Sequence, residues 1–221
     1  MRSCDVSSPY QYNKNKLAFN IETILKIFSM PRRLTKFYNG GYYHIYNRGV
    51  AGQPIFLEDD NYFYLLQLIK KYSQKIEISV LAYCLMPNHY HLLVRQESEK
   101  AAGLLPQRVF NVYSKSFNNR YKRSGTLFES PYKAVEVDQY AYLIHLCRYI
   151  HANPVKAGLV KSPDEWVYSN YLDWIGERDG KLVDKAFISE HFRDVSDYRG
   201  FVFEYIIDEQ VIPEGVKKYL L

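Results

Sequence analysis

The stretch KIEISVLAYCLMPNHYHLLVRQ, residues 75–96, decides the fold. Its first half alternates Ile76, Ile78 and Val80 against polar residues and then becomes apolar on both faces, as a strand entering a sheet interior does. Pro87 and Asn88 mark a turn, and His89 to Gln96 returns as a second strand, so the segment reads as an antiparallel hairpin. Residues i and i+2 of a strand share a face, which stands His89 and His91 side by side. Spacing alone leaves two readings open for them: a pair of metal ligands, or histidines kept for hydrogen bonding and surface polarity.

Upstream, Asn39, Gly40 and Gly41 make a break, and YYHIYNRG (42–49) follows as a strand of aromatic and branched residues. EDDNYFYLLQLIKKYSQ (58–74) places Glu58, Asp59 and Asp60 at a helix N-terminus, with Tyr62, Leu65, Leu66 and Ile69 on one apolar stripe. Downstream of the hairpin, residues 105–122 form an amphipathic helix, and a strand is expected from Tyr132 to Val137. Asp138 is placed to cap QYAYLIHLCRYIHAN (139–153), which Pro154 is expected to end. The order β-α-β-β-α-β-α predicts an α+β fold. Its first six elements match the ferredoxin-like split βαβ core, an antiparallel sheet with helices on one face.

Residues 1–39 are expected to form an N-terminal extension, with a short helix in FNIETILKIF (19–28) and a basic RRLTK (32–36). Residues 40–160 carry the core, and 161–221 a C-terminal helical extension built around DEWVYSNYLDWIG, AFISEHF and YRGFVFEYI. The chain of 221 residues is long enough for a real core without disulfides. Its three cysteines lack CxxC spacing; Cys84 and Cys147 sit in apolar segments where a thiol acts as a small hydrophobe, and a reducing compartment is favoured. The N-terminus is a poor signal peptide and no apolar run reaches the roughly 20 residues of a membrane span, so a cytoplasmic location is expected.

Lysine and arginine number 29 against 24 acidic residues, a modest excess of +5 that is partly localised. RVFNVYSKSFNNRYKRSG (108–125) carries five cations, no acid, and Phe110, Tyr113, Phe117 and Tyr121 between them. Interleaved cations and rings suit a polyanion whose bases can stack. No glycine loop of the Walker type and no GxGxxG occurs, so nucleotide-cofactor chemistry finds no support.

Within the helix at 139–153, His145, Tyr149 and Asn153 follow one another one turn apart, beside the broad apolar face of Leu143, Leu146, Cys147 and Ile150. If this stripe faces His89 and His91, a cation there gains a carboxamide oxygen as third ligand and a phenol stands next to it. A tyrosine hydroxyl, with a pKa near 10, attacks a phosphodiester only when its proton is removed and the phosphate charge is countered. A hard cation beside the phosphate would do the second. Tyr149 is, however, one of 22 tyrosines, and Asn153 is equally a helix-ending residue.

Together, YYHIYNRG, MPNHYHLLV, SFNNRYKRSGTLFE and RYIHANPVKAGLV resemble the IS200/IS605-type Y1 transposases, and more closely the REP-associated tyrosine transposases. The resemblance covers about residues 40–175, and HFRDVSDYRGFVFEYI (191–206) is similar to the family's variable C-terminal piece. It implies that His89 and His91 are the two ligands of the His-bulky-His (HUH) motif, that Tyr149 is the nucleophile, and that Asn153 supplies the third ligand to Mg2+ or Mn2+. It also implies cleavage of single-stranded DNA beside a hairpin, a 5′-phosphotyrosine, a free 3′ hydroxyl, and rejoining to a second strand end. Arg48, Arg120, Arg123, Lys133 and Lys156 are the expected DNA contacts, and a monomer or homodimer is equally compatible. In LFESPYKA, Glu129 and Ser130 stand where the family often has Gln and Arg, and a negative charge there weakens a phosphate contact. A hairpin-binding protein without cleavage, a nuclease that activates water, and a structural zinc site are the alternatives.

Overall fold

The computed structural model describes residues 35–192 and 194–220, the side chain of Val195 excepted. These belong to one unit of the chain, Thr35–Leu221. The helix expected over 19–28, the start of the basic RRLTK stretch and Cys4 lie outside the described residues.

Four strands, β1 (Tyr42–Arg48), β2 (Ile78–Met86), β3 (His89–Gln96) and β4 (Lys133–Glu136), form one antiparallel sheet in the order β2-β3-β1-β4. Between them run α1 (Asp59–Ile76) and α2 (Leu104–Arg120), and α3 (Tyr140–Lys156) follows β4. This is the α+β, split βαβ order that the sequence predicts, with the hairpin turning at Pro87 and Asn88. Ile76 belongs to the helix rather than to the alternating strand. Glu77, at φ 61°, turns the chain left-handed there, so that β2 starts at Ile78.

Alternation along the strands creates two hydrophobic layers. Tyr43, Ile45, Tyr83, Leu85, Tyr90, Leu92 and Val94 pack with Leu65, Ile69, Val109 and Phe110 of α1 and α2. On the opposite face Ala82, Cys84, Met86 and Leu93 pack with Leu143, Leu146, Cys147 and Ile150 of α3. α1 and α2, the two helices of the first six elements, thus share one face as the sequence predicts, and α3, the seventh element, covers the other. The C-terminal extension thickens that second layer: α4 (Tyr171–Trp174), α5 (Lys185–His191), α6 (Val195–Ile207) and the 3-10 turns Glu209–Val211 and Glu214–Tyr219 pack around α3 and bury Trp174, Phe187, Tyr198 and Val216. Arg148 is almost fully buried between them, donating to the Val211 carbonyl at 2.6 Å and lying 4.1 Å over the Phe201 ring.

Two helix-boundary expectations are corrected. Gln139, not Asp138, occupies the N-cap of α3, because the Asp138 carboxylate is taken by Lys218 and the Tyr219 hydroxyl. Nor does Pro154 end α3. It sits in the last turn, where its fixed φ is tolerated, and the helix stops after Lys156 as Ala157 N–H bonds the Asn153 carbonyl and Gly158 turns to φ 69°. Cys84 and Cys147 are fully buried and burial pushes both thiols up, as small hydrophobes. No helix among the described residues is long and apolar enough to cross a membrane.

Candidate metal and nucleophile site

Register sets the site. Residues opposite one another in an antiparallel pair share a face, and β3 pairs His91 with Tyr46 of β1 and Cys84 of β2, and His89 with Arg48 and Met86. Tyr46 in turn pairs with Lys133 of β4. One row across the sheet is thus Cys84, His91, Tyr46, Lys133, and the next is Met86, His89, Arg48. Both rows lie on the face that α3 covers. The His89 and His91 rings are 5.1 Å apart and nearly perpendicular, and the Tyr149 ring stands 5.6 Å from that of His91. The tyrosine on the helix therefore stands against His91, one member of the i+2 pair on the strand.

Hydrogen bonds fix the tautomers. Asn88 donates its amide to the Gly52 carbonyl at 3.2 Å, so its Oδ1 accepts from His89 Nδ1 at 2.7 Å and leaves a lone pair on His89 Nε2. His91 Nδ1 lies 3.0 Å from Nε2 of His44, a β1 residue on the same face. Burial drives the His44 and His89 imidazoles down to about 4, Arg48 adding to the effect at His89. Burial, reinforced by His44 and His89, holds His91 well below its ordinary value. All three rings are neutral at pH 7, the form in which imidazole binds a metal. Asn153 donates from Nδ2 to the Tyr149 carbonyl at 2.9 Å, leaving Oδ1 as the remaining pole of the amide.

These residues fit a divalent cation. His91 Nε2 is buried without a hydrogen-bond partner among the described residues, the state expected of a ligand nitrogen waiting for a metal. No group of three or more His, Cys, Asp or Glu suited to a metal exists among the described residues. A cation held by His89 and His91 must complete its shell with an amide, solvent or phosphate oxygen, as open catalytic sites do.

The five expected DNA contacts separate. Arg48 and Lys133 line a cleft of about 200 Å3 with Tyr46, Asn47, Glu129 and Ser130, directly beside the histidine rows. Glu129 occupies Arg48 in a two-pronged ion pair, and Lys133 lies 5.7 Å over the Tyr46 ring. Arg120 is held by Glu58 and Asp60 at the start of α1. Arg123 stacks on Phe117, 5.5 Å from the ring. Lys156 pairs with Glu209 of the C-terminal extension at 2.5 Å. His145 packs on Phe201, rings 5.3 Å apart. Sequence reasoning passed over His44 and Tyr46; their place in the site follows only from the pairing of β1 with β3.

Residues 37–153, more than half of the chain, match the family described as transposase, IS200-like. A structure of the REP-associated tyrosine transposase bound to a REP hairpin superposes with a TM-score of 0.56 at 17% identity, covering 70% of this chain and 94% of that one. A crystal structure of a "putative transposase" from Deinococcus radiodurans R1 gives a TM-score of 0.38 at 13% identity, over 52% of this chain and 93% of the other. No curated protein matches the chain. The matched residues span β1 to Asn153 and include His89, His91 and Tyr149, and on that match the chain belongs to the IS200/IS605 Y1 (HUH) transposase family.

Proposed function

We propose that the protein cleaves single-stranded DNA at hairpin sequences and transfers the strand through Tyr149. The observation that carries this is the Tyr149 ring standing 5.6 Å from His91, whose Nε2 is buried with no hydrogen-bond partner among the described residues. His89, His91 and the Asn153 carboxamide would hold Mg2+ or Mn2+. A divalent cation there supplies charge neutralisation at the scissile phosphate. Tyr149 Oη attacks phosphorus, the bond to the 3′ oxygen breaks, and the phenol's proton ends on that oxygen. The protein is then joined to the 5′ phosphate, and a second strand's 3′ hydroxyl reverses the step and restores the phenol. Arg48 and Lys133 border the histidine rows and are assigned to the substrate backbone near the cut. Arg120, Arg123 and Lys156 are assigned to more distant phosphates. The related structure that holds a REP hairpin supports hairpin DNA as the substrate class. A cytoplasmic monomer or homodimer is the assembly proposed.

The test is incubation with Mn2+ and labelled single-stranded hairpin DNA, followed by a denaturing gel. An EDTA-sensitive adduct absent from Tyr149→Phe is expected. Cleavage by Tyr149→Phe without an adduct would instead mark a nuclease that activates water. Hairpin binding without cleavage by the wild type would leave a binding protein.

A further inference from the structure

His44 lies outside the ligand set and outside the chemistry just proposed, yet it is fully buried against one of the ligands. Its Nδ1 is 2.6 Å from the backbone carbonyl of Tyr219, a group that can only accept. His44 Nδ1 therefore carries the ring's proton, and Nε2 offers a lone pair. That lone pair faces His91 Nδ1 at 3.0 Å, so His91 must donate from Nδ1. The consequence falls on the far side of the ring: His91 Nε2, buried and without a hydrogen-bond partner among the described residues, carries no hydrogen and offers its lone pair to a metal. We propose that His44 is a positioning residue that relays the Tyr219 carbonyl to His91, locking the tautomer and ring orientation that metal binding requires.

The relay begins in the 3-10 turn Glu214–Tyr219, beyond residues 37–153 that carry the family match. That turn is anchored by the Tyr219 hydroxyl on Asp138, at the base of α3, and by Val216 in the second hydrophobic layer. The C-terminal extension is thereby a component of the metal site and not only a cover for α3. Partners that orient a ligating imidazole typically change metal affinity about 10–100-fold when removed.

This inference rests on the reading of His89 and His91 as metal ligands, and the experiment separates the two. Free Mn2+ is followed by electron paramagnetic resonance as it is titrated with wild type, His44→Phe and His44→Gln. The tautomer of His91 is read from long-range 15N–1H spectra of the metal-free wild type. His91 is expected to carry its proton on Nδ1. His44→Phe should bind Mn2+ about 10–100-fold more weakly, and His44→Gln, whose amide oxygen can accept from His91, should recover most of that loss. A folded His44→Phe that binds as wild type does overturns the relay while leaving the ligand pair intact. Should His44→Phe fail to fold, the wild-type spectrum decides: a proton on His91 Nε2 overturns the relay. A wild type that binds no Mn2+ overturns the ligand reading and the relay with it.

Discussion

On one face of the sheet Tyr43, Ile45, Tyr90, Leu92 and Val94 meet α1 and α2 in a hydrophobic layer; on the other, His44, Tyr46, His89 and His91 break a wall of Ala82, Cys84, Met86 and Leu93. Both faces come from the same strands, residue by residue in alternation. A slip of one residue in the β1–β3 register would send the histidines into the α1–α2 core and the leucines into the site. The first face thus does more than stabilise. It specifies the register that brings His44 and Tyr46 beside His91, and its burial offsets the cost of sinking three neutral imidazoles into the second.

Adjacent residues on β3 test this division most severely. His91→Ala should reduce adduct formation on the order of 10³-fold, equivalent to about 4 kcal/mol of barrier, while the protein stays folded. Leu92→Ala, one position on and pointing to the other face, should cost about 2–5 kcal/mol in denaturant unfolding, with the adduct still formed by the folded fraction. Adduct assays and urea melts on the two variants check both. If His91→Ala unfolded as readily as Leu92→Ala, the polar face would be part of the stabilising core and the division would fail.

Much of this was legible in the sequence where the signal is local. Period two in HYHLLV placed both histidines on one face, and one helical turn placed Tyr149 beside Asn153. What the sequence withheld is set by distant partners. His44 sits in a strand of aromatic residues with nothing near it in sequence to mark it; only pairing with β3, some 47 positions on, and a carbonyl 175 positions away give it a role. Arg120 and Lys156 are expected DNA contacts whose ion pairs with Glu58, Asp60 and Glu209 could not be foreseen, because those partners lie in other segments. Asp138 looked like a helix cap for the same reason, its claim by Lys218 and Tyr219 being written far downstream.

The second face depends on how firmly the extension is held to α3, and Arg148 is the place to loosen it. Its guanidinium donates to the Val211 carbonyl and stacks on Phe201, but burial also lowers its pKa, so the charge is kept there at a cost. Arg148→Met removes the bonds and that cost together. The expected loss is therefore small for a buried charge, about 1–2 kcal/mol by thermal or denaturant unfolding. A loss as large as that of Leu92→Ala would place the extension on a par with the α1–α2 core.

The smallest effect concerns the edge of the polar face, where Glu129 stands in contact with Arg48. Each group favours the charged form of the other, Arg48 drawing the Glu129 carboxyl below its usual range. A phosphate reaching Arg48 must displace this carboxylate. Glu129→Gln keeps the shape and removes the competitor, so hairpin DNA should bind a few-fold more tightly, and the dependence of log K on log salt should steepen by up to about one as Arg48 takes up a phosphate. Fluorescence anisotropy over a salt series measures both quantities. An unchanged affinity and slope would move the DNA path away from the Arg48 cleft, leaving Lys133 and the histidine rows to meet the backbone without it.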